Sequence, residues 1–283
     1  MTIRNVGVVG CGLMGAGIAQ TCAQSGYQTV VREVNQELLD KGLKRIYDAW
    51  ETLLKKGKLT QGQIDEYHSR LRGTLNLDDF ADCDLVIEAV IERMEEKLRL
   101  FPALDAILKP EALLLSNTSS LNITQMGAVT KRADRVCGLH FFNPAPVMKL
   151  VEIVQTISTS EETIAEVRQF AVSLGKEPVL AKDTAGFIVN FLLIPYLIAA
   201  IRMLENGQAS REDIDTAMKL GCGYPMGPFT LLDYVGLDTT LWAAEAIYEE
   251  YKDPLYAPPP LLRRMVLAGQ LGRKSGKGFY DYK

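Results

Sequence analysis

Six residues near the start of the chain, Gly10-Cys11-Gly12-Leu13-Met14-Gly15, constrain its fold more than any other stretch. They match the pattern GxGxxG and lie where an apolar run, Ile3 to Val9, gives way to a small-residue run, Met14 to Ser25. The first run reads as a buried parallel strand and the second as a helix packed close to it. A first glycine permits a tight turn, a second lets phosphates approach the backbone, and a third lets helix and strand close up. The helix start at Leu13 and Met14 turns amides and a positive dipole end toward those phosphates. Thr29 to Arg32 is the next β-branched run, and Glu33 follows it, near the spacing of ~20 residues at which an acid accepts from an adenine ribose. This order of strand, glycine turn, helix, strand and acid opens a doubly wound, Rossmann-like α/β domain. Gly10, Gly12, Leu13, Met14, Gly15 and Glu33 are therefore expected to bind a nicotinamide dinucleotide. Glu33 favours NAD, because the 2′-phosphate of NADP would face a carboxylate; Arg32 beside it could pair with that phosphate and leaves NADP open.

The alternation continues downstream. Asn35 to Arg72 is polar, helical in period and broken near Gly57–Thr60, which reads as a helical hairpin inserted after the second strand. Further strands are expected at Leu85–Glu88, Leu113–Ser116, Arg135–Phe141 and Lys149–Gln155, with helices near Glu92–Leu108 and Asn122–Val129. A helix near Glu161–Leu174 and a short strand near Pro178–Ala181 close this part, and past Asp183 helical patterns take over. The change of period predicts two domains: residues 1–183, Rossmann-like with the inserted hairpin, and residues 184–283, all-α. The apolar run Gly186 to Ile201 is shorter than a membrane span of ~20 residues and contains Asn190 and Pro195, so it reads as a buried helix.

Composition narrows the partners. A formal charge of −4 gives no overall attraction for nucleic acid or an anionic membrane, so an anionic ligand needs a local basic patch. The five cysteines are scattered without a CxxC pair, which fits free thiols in a reducing compartment and neither a disulfide framework nor a zinc site. The opening residues lack the pattern of a signal peptide, and the expected location is the cytoplasm.

Two histidines limit any histidine-based chemistry to His68 and His140. His68 lies in a polar helical stretch with Glu66 and Arg70 and reads as a solvated residue. His140 ends an apolar strand, at the edge of the sheet that faces a cofactor crevice. If the chain folds back symmetrically about Pro146, Glu152 lies directly across from His140 on the same face, with Cβ atoms about 5 Å apart. A buried carboxylate there would fix the imidazole tautomer and stabilise the imidazolium, as the oxidation of an alcohol with a nicotinamide requires. Ser119, in the Ser116-Asn-Thr-Ser-Ser120 turn, could bond the same substrate oxygen. Asn190, a lone amide in an apolar helix, needs a partner: a substrate oxygen, or backbone exposed near Pro195.

Together these residues resemble the L-3-hydroxyacyl-CoA dehydrogenase family, and its stand-alone 3-hydroxybutyryl-CoA dehydrogenases in particular. The likeness runs from GCGLMGAGIAQ to GRKSGKGFYDY and is most specific in SNTSSL (Ser116–Leu121), GLHFFNPAPVMKLVE (Gly138–Glu152) and YPMGPF (Tyr224–Phe229). The resemblance implies that His140 is the acid–base oriented by Glu152, that Ser119 and Asn190 contact substrate, and that Ser119 and Asn143 lie beside the nicotinamide. It also makes Glu92, Lys97 and Lys274 cofactor-side residues, and the helical hairpin part of the coenzyme A site. Lys56, in the run Lys55-Lys-Gly-Lys58, is the candidate for its phosphates. A homodimer through the C-terminal domain and a place in fatty acid metabolism are implied as well. The chain departs from the family pattern at Glu33, where Asp is usual, and at Ala185, Phe191 and Ala257, where Pro, Arg and Arg are common. Two related readings compete. The 3-hydroxy acid dehydrogenases need a lysine at the position of Gly186, and the non-catalytic lens crystallins of the superfamily would not need Ser119, His140, Glu152 and Asn190.

Overall fold

A computed structural model describes residues 2–282. Contacts within the chain divide it, between Asp183 and Thr184, into two compact units. In the first unit the strands are β1 (Asn5–Val9), β2 (Gln28–Arg32), β3 (Leu71–Thr74), β4 (Leu85–Glu88), β5 (Leu113–Ser116), β6 (Val136–Phe141), β7 (Leu150–Gln155) and β8 (Glu177–Lys182). They form one sheet in the order β3-β2-β1-β4-β5-β6-β7-β8. Neighbours run parallel throughout, except that β6 and β7 are antiparallel. Val6, Val8, Val9, Leu85 to Ile87 and Leu113 to Leu115 are all fully buried. Such continuous apolar runs are what a sheet covered by helices on both faces demands.

The helices of this unit are α1 (Leu13–Gln24), α2 (Gln36–Lys55), α3 (Gln61–Arg70), α4 (Met94–Ile107), α5 (Ile123–Ala128) and α6 (Glu161–Ser173). The strand order turns outward in both directions from β1 and β4, so the crevice at their carboxyl ends is the switch point where a dinucleotide binds in folds of this kind. The inserted hairpin is α2 and α3. Asn35 caps α2 by accepting from the Leu38 amide, and Thr60 with Gln63 forms a reciprocal capping box at the start of α3. Leu39, Ile46 and Trp50 of α2 and Ile64 and Tyr67 of α3 supply its buried stripe. One expectation changes here. The hairpin stops at Arg70, and Leu71–Thr74 forms β3 beside β2. With no loop between α3 and β3, and with only Leu71 and Thr74 buried in a four-residue strand, there is too little alternation for a period to register.

The second unit contains α7 (Val189–Glu205), α8 (Arg211–Gly221), α9 (Pro228–Val235), α10 (Leu237–Tyr251) and α11 (Pro260–Leu267). Gly186 and Phe187 have φ of +84° and +48°, so the apolar run turns through left-handed backbone before the helix begins at Val189. Ile194, Leu197, Ile198 and Ile201 then bury the helix within its own unit, against residues such as Phe229, Leu232, Leu241, Ala244 and Ile247. No helix among the described residues is long and apolar enough to cross a membrane. Two buried acids tie the unit's last segment down. Asp233 accepts from the amides of Phe279 and Tyr280 and from the Tyr282 hydroxyl, and Asp215 from the Phe229 and Thr230 amides and the Tyr280 hydroxyl.

The hairpin is seated on the glycine turn through Gly42 of α2. A Cβ at Gly42 would lie 2.2 Å from Cys11 Sγ and 2.4 Å from the Cys11 carbonyl oxygen, and a backbone oxygen cannot swing aside. Gly42→Ala is therefore expected to destabilise the protein by about 1–3 kcal/mol through overpacking. A denaturant midpoint equal to that of the unsubstituted protein would refute this reading of the contact.

Candidate active site

The three glycines of the turn occupy three different environments. Gly10 has φ +97°, and a Cβ there would lie 2.5 Å from the Ala89 carbonyl oxygen at the end of β4. A Cβ at Gly15 would lie 1.8 Å from the Gly10 carbonyl oxygen, so α1 sits as close to the turn as glycine allows. Gly12 faces open space, with nothing within 4 Å of its Cβ position. No side chain caps α1 at Gly12, which leaves the first-turn amides, those of Leu13 and Met14 among them, for an anion. These residues thus fit a pyrophosphate: two closed positions shape the turn and one open position admits the ligand.

Glu33 lies beyond the end of β2, and its carboxylate accepts from the Cys11 amide at 2.7 Å and from the Val34 amide at 3.0 Å. The acid is thereby fixed beside the turn, where it would meet the ribose. Arg32 points its Nε to the Leu75 carbonyl at 3.3 Å. Burial, with the Glu33 carboxylate nearby, pushes the Cys11 thiol up to about 12, so it stays protonated and is no nucleophile.

His140 lies on β6 at the same edge of the sheet. Three strand spacings, roughly 14 Å, separate β6 from β1. The β6–β7 register places His140 directly opposite Glu152, and Nδ1 lies 2.7 Å from Glu152 Oε2. Glu152 has no exposed surface and His140 is buried. The Phe142 ring packs 4.6 Å from the imidazole, and Asn117 Oδ1 accepts from the Phe141 amide at 2.9 Å, which ties the end of β6 to the turn after β5. Asn143 is exposed and precedes a cis bond to Pro144.

Between these two regions runs a buried charge network that the sequence did not announce. Glu88 and Ser116 are register partners at the ends of β4 and β5. Glu88 Oε2 accepts from Ser116 Oγ at 2.6 Å, and Oε1 accepts from the Val90 amide at 2.8 Å and from Lys97 Nζ at 2.6 Å. Lys97 Nζ reaches Glu92 Oε2 at 3.2 Å. Glu92 Oε1 in turn accepts from the Thr118 hydroxyl and from the Ser119 amide at 3.1 Å. The structure thus brings Glu92 and Ser119 together. Lys97 is only 1% exposed, and what it offers a ligand passes through Glu92. The resemblance singled out Glu92 and Lys97; for Glu88 and Ser116 the legible hint was polar residues closing two apolar runs, Leu85–Glu88 and Leu113–Ser116.

The other candidates lie on separate elements. Asn190 is the second residue of α7, half-buried, and its carboxamide makes no hydrogen bond among the described residues. Lys274, half-exposed, pairs with Asp238 at 2.6 Å. Lys56 is exposed at the C-terminal cap of α2, beside Gly57 with φ +66°. His68 is exposed too, with its ring 4.4 Å from that of Tyr47. Of the three departures in the second unit, Phe191 and Ala185 have local structural roles, and nothing in the structure explains alanine at 257. Phe191 packs its ring 5.4 Å from both Tyr251 and Tyr256. The Ala185 amide donates to Glu250 at 3.0 Å, a bond a proline could not make, and the Ala257 carbonyl accepts from Arg202 at 2.8 Å.

Comparison with known proteins identifies the family. Residues 5–184 match the model of the 3-hydroxyacyl-CoA dehydrogenase NAD binding domain, and residues 186–282 that of the 3-hydroxyacyl-CoA dehydrogenase C-terminal domain. The chain is 49% identical over 282 residues to a 3-hydroxybutyryl-CoA dehydrogenase of Mycobacterium tuberculosis, covering 99% of each. It is 47% identical over 289 residues to the mitochondrial hydroxyacyl-coenzyme A dehydrogenase of Rattus norvegicus, covering 99% of this chain and 92% of that one. The crystal structure of (S)-3-hydroxybutyryl-CoA dehydrogenase from Ralstonia eutropha is similar with a TM-score of 0.96 at 44% identity, covering 100% of both chains. With both domain models matched in order along one chain, the protein belongs to the NAD-dependent 3-hydroxyacyl-CoA dehydrogenase family.

Proposed function

We propose that the chain interconverts (S)-3-hydroxyacyl-CoA and 3-oxoacyl-CoA, with 3-hydroxybutyryl-CoA and acetoacetyl-CoA as its C4 pair, and that His140 is the acid–base. The observation that carries this reading is the 2.7 Å contact between His140 Nδ1 and the buried Glu152 carboxylate, on the sheet edge that also bears the glycine turn. Bound NAD supplies the hydride acceptor. Glu152 accepts a hydrogen bond from Nδ1–H, which fixes the tautomer whose Nε2 takes the proton of the substrate 3-hydroxyl. The resulting imidazolium is stabilised by the same carboxylate, and in the reverse direction it returns the proton to the 3-oxo oxygen. Ser119 and Asn190 bond the substrate oxygens, and Asn143 lies on the nicotinamide side. Glu92, supported by Lys97, holds the Ser119 turn, and Lys274 completes the cofactor-side set. Lys56 pairs with coenzyme A phosphates.

Residues 1–183 act as the NAD-binding domain and residues 184–283 as the substrate and dimerisation domain of a homodimer active in fatty acid metabolism. Leu192, Leu220, Trp242 and Leu267 of the second unit are each at least 60% exposed, apolar side chains of the kind a second copy would cover. A particle of one chain's mass in light scattering would rule out the dimer. The free thiols, four of them buried, are in keeping with a cytoplasmic setting.

Oxidation of NADH by acetoacetyl-CoA tests the central reading, and an unsubstituted protein without turnover would sink it. His140→Ala is expected to lower kcat by roughly 10²- to 10⁴-fold with the fold retained. A near-normal kcat in that variant would remove His140 from the chemistry. Because Glu33 is fixed beside the ribose position and the Arg32 Nε is bonded to Leu75, kcat/KM with NADH should exceed that with NADPH by about tenfold or more. Equal efficiencies would mean that Arg32 outweighs the carboxylate.

A further inference from the structure

Lys176 takes no part in the proposed chemistry, yet it is one of the few buried lysines, at 6% exposure. It lies in the link between α6 and β8, just after Gly175, whose φ of +72° turns the chain back toward the sheet. Its Nζ donates to the Ala145 carbonyl at 2.6 Å and to the Met148 carbonyl at 2.8 Å. Both carbonyls belong to the loop between β6 and β7, which begins directly after His140 and Phe141 and carries Asn143. The same loop also rests on α1. A Cβ at Gly17 would lie 3.1 Å from Pro146 Cδ and 3.2 Å from Ala145 Cβ. The loop is therefore held both by the dinucleotide helix and by a buried ammonium.

No carboxylate among the described residues pairs with Lys176, and burial draws its pKa down. An unpaired buried cation is an expensive way to fill space, and an apolar side chain would serve stability alone as well or better. What an ammonium adds is direction, since its N–H groups hold two carbonyl oxygens in one fixed geometry. We infer that Lys176 is a positioning residue for hydride transfer, fixing the Asn143–Met148 loop against α1 and thereby the placement of His140 and Asn143 relative to the dinucleotide. This rests on the acid–base role proposed for His140.

The test is the single-turnover rate constant for NADH oxidation by acetoacetyl-CoA, which does not depend on the fraction of protein that is folded. Lys176→Met is expected to lower it by roughly ten- to a hundredfold, as displacements of up to about 1 Å do, while the acetoacetyl-CoA KM stays within about twofold. Gly17→Ala pushes the same loop through its contact with α1 and should lower the rate constant by a smaller factor, roughly two- to tenfold. A folded Lys176→Met protein with an unchanged rate constant overturns the inference. If that variant does not fold, Gly17→Ala decides, and an unchanged rate constant there overturns it as well. Absence of turnover in the unsubstituted protein, measured in parallel, would overturn the function proposed above and this inference with it; unsubstituted turnover with silent variants would overturn this inference alone.

Discussion

One reversal of strand direction makes the site possible. The sheet is parallel from β3 through β6, and in a parallel sheet the residue beside a strand's carboxyl end comes from a distant crossover. Between β6 and β7 the chain instead turns straight back, and His140 meets Glu152 as a direct cross-strand pair twelve residues away. The parallel part supplies the carboxyl-end crevice and the antiparallel junction supplies the carboxylate. Neither alone would place an oriented imidazole at the edge that bears the glycine turn.

Buried charge does the remaining positioning. Glu88 and Lys97 have almost no exposed surface, and such a pair adds little net stability, because desolvation offsets the attraction. Its effect is geometric. Glu88 ties β4 to β5 through Ser116, Lys97 passes the constraint to Glu92, and Glu92 grips Thr118 and Ser119. A turn that would otherwise move with its own backbone is thereby referred to the sheet. Lys176 does the same for the loop after His140, with carbonyls in place of carboxylates.

What could be read from the sequence follows the range of the interactions. The glycine turn, the helix behind it and Glu33 were legible because glycine chemistry and hydrophobic period are local. The opposition of His140 and Glu152 was legible because a hairpin centred on Pro146 fixes register by counting. β3 was not, since Leu-Arg-Gly-Thr follows a helix directly and buries only its two ends. Glu88, Lys97 and Lys176 were not legible as structural residues either. A charged residue in a sequence reads as solvated, and whether it is buried depends on what the rest of the fold brings over it. The apolar run after Gly186 forms the expected helix only from Val189, and it is buried on one face alone: Ile194, Leu197, Ile198 and Ile201 are covered, whereas Leu192 is exposed.

The grip of Asp233 on the segment from Gly278 to Tyr282 sets an order of events during synthesis. Asp233 is buried at the end of α9, and two of its partners are backbone amides that lie some 46 residues later in the chain. Phe279, between those bonds, fills the core beside Phe229 at a ring distance of 4.7 Å. Until that segment leaves the ribosome, the carboxylate lacks its donors and the core lacks a ring, so the helices from α7 to α11 can gather but not close. The first unit has no such debt to later sequence within its sheet, whose eight strands are complete by Lys182. A nascent chain thus holds a finished dinucleotide fold well before its helical half can settle.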